Sequence, residues 1–391
     1  MVSFTYYVPT KVFFGTDAES HIGSFLKSKG FHKVLLHYGS GSIKKNGLYD
    51  KVTAELQQAG IAYVELPGVE PNPKIGLVRC GVELCRKEGV DFLLGVGGGS
   101  VSDSCKAIAL GLALDIDPWE AVVKNICPEK PFPMGLVLTI AAAGSEMSNS
   151  CVITDDEHNL KRGCNHDGNR PLVAFMNPEN TLTVPKYQTA AGTVDIMMHT
   201  MERYLTADPE TPLTDRLAEA LLKTVKDCGS RLVEDPKDLQ ARTDLMWASS
   251  LAHNDITGCG RNRTFTAHKI EHDLSGVHDN ITHGAGLAVV FPAWVLHEYK
   301  KGMKRFCQWA VNIWQANPNQ DEDAVIREGV DHMKDYFRSL GMPVTMQELG
   351  VAPEEYDSIA ELTIAGAGGA IPSYGSKLTK EEIIEIYRLA E

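Results

Sequence analysis

From Lys33 to about Pro185 short apolar runs rich in β-branched residues alternate with stretches of helix length. The runs Val34–Tyr38, Ala62–Leu66, Phe92–Val96, Leu136–Thr139 and Leu172–Phe175 are candidate strands, and strands separated by helices are the pattern of a parallel sheet built from βα units. After Pro185 the apolar spacing becomes helical, in Met197–Tyr204, Ala218–Val225 and Leu245–Asn254, with few β-rich runs. The pattern predicts an α/β domain over residues 1–184 and an all-α domain over residues 185–391. Thr183-Val184-Pro185 marks the boundary, because proline suits a first helical turn.

At 391 residues the chain exceeds the usual size of one core, which agrees with two domains. A formal net charge of −13 has the wrong sign for neutralising nucleic-acid phosphates or lying on an anionic membrane, so a small diffusible substrate is expected. No stretch approaches membrane-spanning length, and Met1–Tyr7 lacks the basic start and apolar core of a signal peptide. The nine cysteines include no CxxC pair, which argues against a disulfide framework or a thiolate zinc site and for a reducing cytoplasm. The run Phe4–Val8 predicts an exposed edge strand suited to pairing with a second copy, hence a homodimer.

Candidate chemistry begins where Phe92–Val96 runs into Gly97-Gly98-Gly99-Ser100, followed through Asp103 by a helical segment. Three glycines clear the space a pyrophosphate needs, and the helix start offers free N–H groups and a positive dipole end, so a Rossmann-like dinucleotide site is expected. A second turn, Gly39-Ser40-Gly41-Ser42, follows Val34–Tyr38 and leads to Lys44 and Lys45. NAD-specific sites usually place an acid there for the ribose 2′-OH. Hydroxyls and lysines in its stead favour a 2′-phosphate, hence NADP(H) over NAD(H). A third turn, Thr139 to Glu146, again reads as strand into helix. Its small residues allow close contact with a ring or phosphate, or Ser145 serves only as a helix cap.

In the helical half Asp195 and His199 share one helix face, as do His268 and His272. His278 and His283 crowd the same window, Thr282-His283-Gly284 reads as a loop or helix start, and His253 and His297 flank it. One carboxylate with three imidazoles makes a site suited to Fe²⁺ or Zn²⁺ and unsuited to calcium, which takes oxygen ligands.

Several segments together carry a resemblance: Tyr7-Val8-Pro9-Thr10-Lys11-Val12-Phe13-Phe14-Gly15, Pro71-Asn72-Pro73, Gly97 to Ser100 with Asp103 and Lys106, Ala143-Gly144-Ser145-Glu146, Asp195-Ile196-Met197-Met198-His199, and His268 to Gly284. Over nearly its whole length the chain resembles the iron-containing (group III) alcohol dehydrogenase family, in its butanol dehydrogenase and broad-specificity aldehyde reductase branch. The resemblance implies a nucleotide-binding α/β domain followed by a helical domain, the dehydroquinate synthase-like architecture, and one divalent metal on Asp195, His199, His268 and His283. The segment after His272 is slightly longer than in the family pattern, which keeps His278 as the alternative last ligand. His272 is implied near the substrate as a proton relay. Coenzyme contacts are implied for Gly97, Gly98, Gly99, Ser100, Asp103, Thr139, Ser145 and Lys161, while Gly39, Ser40, Gly41 and Ser42 match the turn of NADP-preferring relatives.

The expected activity is reduction of an aldehyde, or oxidation of a primary alcohol, by NADP(H) or NAD(H) with Fe²⁺ or Zn²⁺. Polyol oxidation is an alternative within the class. A dehydroquinate synthase-like lyase is the rival outside it, and needs a basic substrate pocket for which only Arg261, Arg263 and Lys269 stand near the metal motif.

Overall fold

The five apolar runs of the first half all become strands. In this computed structural model, which describes residues 1–158 and 160–391, the strands are β1 (Lys11–Phe14), β2 (Lys33–Gly39), β3 (Ala62–Val69), β4 (Phe92–Gly97), β5 (Met134–Leu138), β6 (Ser150–Asp155), β7 (Leu160–Asn165) and β8 (Val173–Met176), with two-residue pieces β9 (Ile371–Pro372) and β10 (Lys377–Leu378). Six form one sheet in the order β1-β8-β5-β4-β2-β3, every pairing parallel. Successive strand residues serve opposite cores. Leu35, Leu93 and Leu136 pack with α4 (Ile75–Glu88), α5 (Gly99–Leu114) and α6 (Pro118–Val123), whereas Leu36, Leu94 and Val137 pack with α1 (Ile22–Ser28) and α3 (Leu48–Ala59), beyond the short α2 (Ser42–Lys45). Burial on both faces explains why these strands read as continuous apolar runs.

Two expectations need correction. Phe4–Val8 is not a strand; the edge strand is Lys11–Phe14, paired with β8 and half-exposed, so its apolar signal is weak. Thr139–Glu146 does not lead into a helix. Gly144 takes φ +60°, and the chain turns into the antiparallel hairpin β6–β7. Ser145 therefore caps no helix and is buried instead among side chains of α5.

The chain runs from β2 outward to β3 and then returns to β4 on the other side of β2. This reversal is the topological switch point at which open parallel sheets bind ligands, outside the carboxyl ends of the strands. The turns Gly39–Ser42 and Gly97–Ser100 leave β2 and β4 side by side there, with Tyr38 in register with Val96. The third turn is adjacent, since the Thr139 N–H donates to the Gly97 carbonyl at 3.0 Å.

Tyr7–Val184 forms one compact unit; Pro185–Glu391 forms the other and takes Met1–Tyr6 with it, the Val2 N–H donating to the Gly260 carbonyl at 2.9 Å. Its helices are α7 (Lys186–Tyr204), α8 (Pro212–Glu234), α9 (Leu239–His253), α10 (Thr266–Val277), α11 (His283–Glu298), α12 (Met303–Trp314), α13 (Glu322–Ser339), α14 (Met346–Leu349), α15 (Tyr356–Gly366) and α16 (Lys380–Leu389). Helix α7 is buried on every side from Thr189 to Tyr204, packed by α8, α9 and α11, and α11 is itself buried almost throughout. Among the described residues no helix is long and apolar enough to cross a membrane.

One polar group inside the sheet unit sets a pH limit on folding. The His37 ring is fully buried in β2; its Nδ1–H donates to the Leu66 carbonyl at 2.7 Å, so Nε2 accepts from the Ser104 hydroxyl at 2.8 Å. Burial pushes its pKa down to about 4 from 6.5, against the smaller opposing effect of the Leu66 carbonyl. The unfolded chain therefore takes up this proton first, and stability present above pH 6.5 is lost as pH falls towards 4. Relative to His37→Gln, wild type should lose up to about 3 kcal/mol over that window. Denaturation midpoints near neutrality and near pH 4.5 check this; equal acid slopes in the two proteins would contradict it.

Candidate metal centre and coenzyme turns

Helical pitch places Asp195 and His199 one turn apart on α7 and His268 and His272 one turn apart on α10, while His283 is the first residue of α11 after Thr282. Tertiary packing then makes one carboxylate oxygen their common point. Asp195 Oδ1 lies 3.4 Å from His199 Nδ1, 3.7 Å from His268 Nε2 and 3.7 Å from His283 Nε2. Donor atoms arranged tetrahedrally about 2.1 Å from one ion lie roughly 3.4 Å from one another. Asp195 Oδ1, His199 Nδ1 and His268 Nε2 are also buried with no hydrogen-bond partner. Buried polar atoms left unpaired are costly, and an ion among them is the ordinary reason for such a group. Asp195, His199 and His268 present donor atoms that all lie within 4.8 Å of one another and fit a divalent metal, and His283 approaches the same Asp195 oxygen while also lying close to Glu271 and His272.

His278 does not join them, because its Nε2 faces Glu355 at 3.1 Å. His272 lies beside the cluster, its ring centroid 5.3 Å from that of His283. His253 packs edge-on against His199 with centroids 3.9 Å apart. Burial, followed by the neighbouring His253, His268, Arg203 and His283, pushes His199 well below its ordinary pKa. At His268 burial also opposes charge, but the Glu202 and Asp195 carboxylates outweigh it and push the ring up to about 9. The same negative field attracts a metal cation.

Two functional candidates escaped the sequence reading. Glu202 on α7 accepts from His268 Nδ1 and from the backbone N–H groups of Ala267 and His268, at 2.8 and 3.3 Å, where α10 begins. Glu271 on α10 accepts from His283 Nδ1. The available signal was an acid one helical turn after each of His199 and His268. Two of the three cations considered for a lyase are engaged elsewhere: Arg261 pairs with Asp215 and donates to Thr211 Oγ1 at 2.7 Å, and Arg263 lies 3.0 Å from Asp255.

In the sheet unit Gly97 ends β4 and Gly98 precedes α5, whose first turn has no side-chain cap, so its N–H groups face outward for an anion. The glycines also have an internal reason. A Cβ at Gly97 would meet Val101 Cγ2 at 2.4 Å, and one at Gly98 would meet Ile140 Cγ2 at 2.5 Å. Asp103 and Ser145 are buried in a network in which Lys106 Nζ donates to Ser145 Oγ and that hydroxyl donates to Asp103 Oδ1, both at 2.8 Å. Asp103 also accepts from the Val152 N–H at 3.1 Å, so these two residues hold the turn against the β6–β7 hairpin. Lys161 is buried in β7 opposite Thr154. Ser42 opens α2 after Gly41, at φ +127°, and Gly39 and Ser40 complete that turn.

The model of the iron-containing alcohol dehydrogenase family matches residues 9–178, and that of the Fe-containing alcohol dehydrogenase family C-terminal domain matches residues 189–390. The chain belongs to this family. It is an alcohol dehydrogenase, an oxidoreductase interconverting alcohols and aldehydes with a nicotinamide coenzyme and a metal. It is 41% identical to NADH-dependent butanol dehydrogenase A of Clostridium acetobutylicum, over 99% of each chain, and 33% identical to an NADPH-dependent aldehyde reductase of Escherichia coli, over 90% of each. The crystal structure of NADH-dependent butanol dehydrogenase A from Thermotoga maritima superposes with a TM-score of 0.95 at 37% identity, covering 100% of this chain and 99% of that one.

Gly284 lets the alcohol dehydrogenase bring α11 against α7. A Cβ there would lie 2.0 Å from the Ala191 carbonyl oxygen, and backbone cannot move aside cheaply. Gly284→Ala should displace the adjacent His283, lowering the melting temperature by several degrees and weakening metal binding on the order of tenfold. Thermal scans with and without Zn²⁺ check this; an unchanged metal-induced shift would contradict it.

Proposed function

We propose that this alcohol dehydrogenase interconverts short aliphatic aldehydes such as butanal and their primary alcohols, using one divalent metal, Fe²⁺ or Zn²⁺, held by Asp195, His199, His268 and His283. The observation that carries the reading is Asp195 Oδ1 surrounded by three imidazole nitrogens at 3.4, 3.7 and 3.7 Å. When bound, the metal supplies Lewis acidity at the carbonyl oxygen and the reduced nicotinamide supplies hydride. Asp195 offsets part of the ionic charge. His272, beside His283, carries the proton gained by the product alcohol and takes it back in the oxidative direction. The Gly97–Ser100 turn and the first turn of α5 hold the coenzyme pyrophosphate.

For the coenzyme we propose NADP(H) in preference to NAD(H), because the turn after β2 has no acid and leads to Lys44 and Lys45. NADH use has a specific observation behind it as well: Glu65 of β3 accepts from the Tyr38 and Tyr49 hydroxyls and lies 3.5 Å from Lys44 Nζ, offsetting the charge a 2′-phosphate would seek. Glu65→Gln should therefore raise the NADPH to NADH ratio of kcat/KM by roughly fivefold, the size expected for one exposed charge pair. An unchanged ratio would detach Lys44 from coenzyme choice. The nine free cysteines support a reducing cytoplasm, and β1 at one end of the sheet supports a homodimer paired through that edge.

Stripping the protein with chelator and restoring Fe²⁺, Zn²⁺ or nothing under anaerobic conditions, with butanal and either coenzyme, tests the reading. Absorbance should report coenzyme oxidation only after metal is restored, and faster with NADPH. No oxidation of either coenzyme under any metal would overturn the aldehyde reductase assignment.

A further inference from the structure

We propose that Glu202 and Glu271 are positioning residues for the metal, each holding one ligand histidine through Nδ1 so that Nε2 is the coordinating nitrogen. The proposal rests on the four-ligand reading given above. The two contacts follow one rule. Glu202 stands one helical turn after His199 on α7 but bonds His268 on α10; Glu271 stands one turn after His268 on α10 but bonds His283 on α11. Helices α7 and α10 thus each supply, besides a ligand, the carboxylate that orients the next helix's ligand, and α7, α10 and α11 are tied together by these contacts.

The chemistry follows from which nitrogen carries the proton. A carboxylate can only accept, so Nδ1 of both rings must carry an N–H, and the nitrogen left to exchange its proton for an ion is Nε2, which in each ring lies 3.7 Å from Asp195 Oδ1. Accepting that proton's hydrogen bond also raises the basicity of Nε2 and fixes the ring plane, as carboxylates behind ligating histidines do generally.

Charge makes a second contribution. The Glu202 and Glu271 side chains are 1% and 0% exposed, and burying carboxylates is costly unless cations or donors compensate them. Glu202 is compensated in part by the two N–H groups that open α10. Counting only a divalent ion and the carboxylates, Asp195 alone would leave one positive charge, whereas all three leave one negative. The site is therefore built to retain its ion tightly.

The test compares Glu202→Gln, Glu271→Gln and Glu271→Leu with wild type and with Asp195→Asn, reading Co²⁺ affinity by chelator competition, the visible absorption of the Co²⁺ protein, and the melting temperature without metal. Glutamine can still accept from Nδ1–H through its carbonyl, so it removes charge and keeps that contact, though at position 202 its NH₂ then faces the Ala267 N–H; leucine removes both charge and contact. Co²⁺ binding should weaken by about 10–100-fold in the glutamine variants and further in Glu271→Leu, with a changed Co²⁺ spectrum and a metal-free melting temperature close to wild type in Glu271→Gln. The proposal is overturned if both glutamine variants bind Co²⁺ within about twofold of wild type with an unaltered spectrum while Asp195→Asn has lost binding. If Asp195→Asn also binds as wild type does, the four-ligand reading itself fails, and this proposal with it.

Discussion

The helical unit is organised around one carboxylate oxygen that protein side chains do not satisfy. Asp195 Oδ1 sits buried among three imidazole nitrogens, too far from each for a good hydrogen bond and at the spacing of atoms that share an ion. Much else follows from keeping it there. Helix α7 must pass through the centre of the unit, since it carries both Asp195 and His199, and α11 must start against it, which only a glycine at 284 permits. Glu202 and Glu271 then secure the two histidines contributed by α10 and α11.

The sheet unit meets a different constraint. A parallel sheet whose chain reverses direction between β2 and β4 leaves a gap in its helical cover at the carboxyl edge, and three glycine- or alanine-rich turns meet at that edge. The Lys106–Ser145–Asp103 network holds the third turn in place from behind, and its buried charges account for the pressure of burial on both ends, upward on Asp103 and downward on Lys106. Phosphate chemistry alone does not explain Gly97 and Gly98; Val101 and Ile140 occupy the space their side chains would need.

What could be read from the sequence tracks how local the cause is. Four of the predicted strands, β2, β4, β5 and β8, were legible because both faces are covered, β3 at the sheet's end by its β-rich composition, and α7, α8 and α9 because their apolar period is long. Lys11–Phe14 and β7 carry a weaker pattern, being partly exposed, and β6 mixes polar residues with its apolar ones, so all three were missed. Asp195 with His199 and His268 with His272 were visible as helical pairs. Whether His278 or His283 turns towards Asp195 depends on where α11 begins in space, which spacing along the chain does not report. Glu202 and Glu271 read as ordinary surface acids until the fold buries them, because their partners lie on other helices.

The central claim is that a single metal ion sits among Asp195, His199, His268 and His283. X-ray absorption at the iron edge of protein loaded with Fe²⁺ under anaerobic conditions tests it most directly. The account predicts a shell containing three imidazoles and one carboxylate oxygen, with the imidazole scattering reduced by one ligand in His283→Ala and unchanged in His278→Ala. A spectrum with two imidazoles or fewer in wild type, or one altered by His278→Ala and indifferent to His283→Ala, would contradict it.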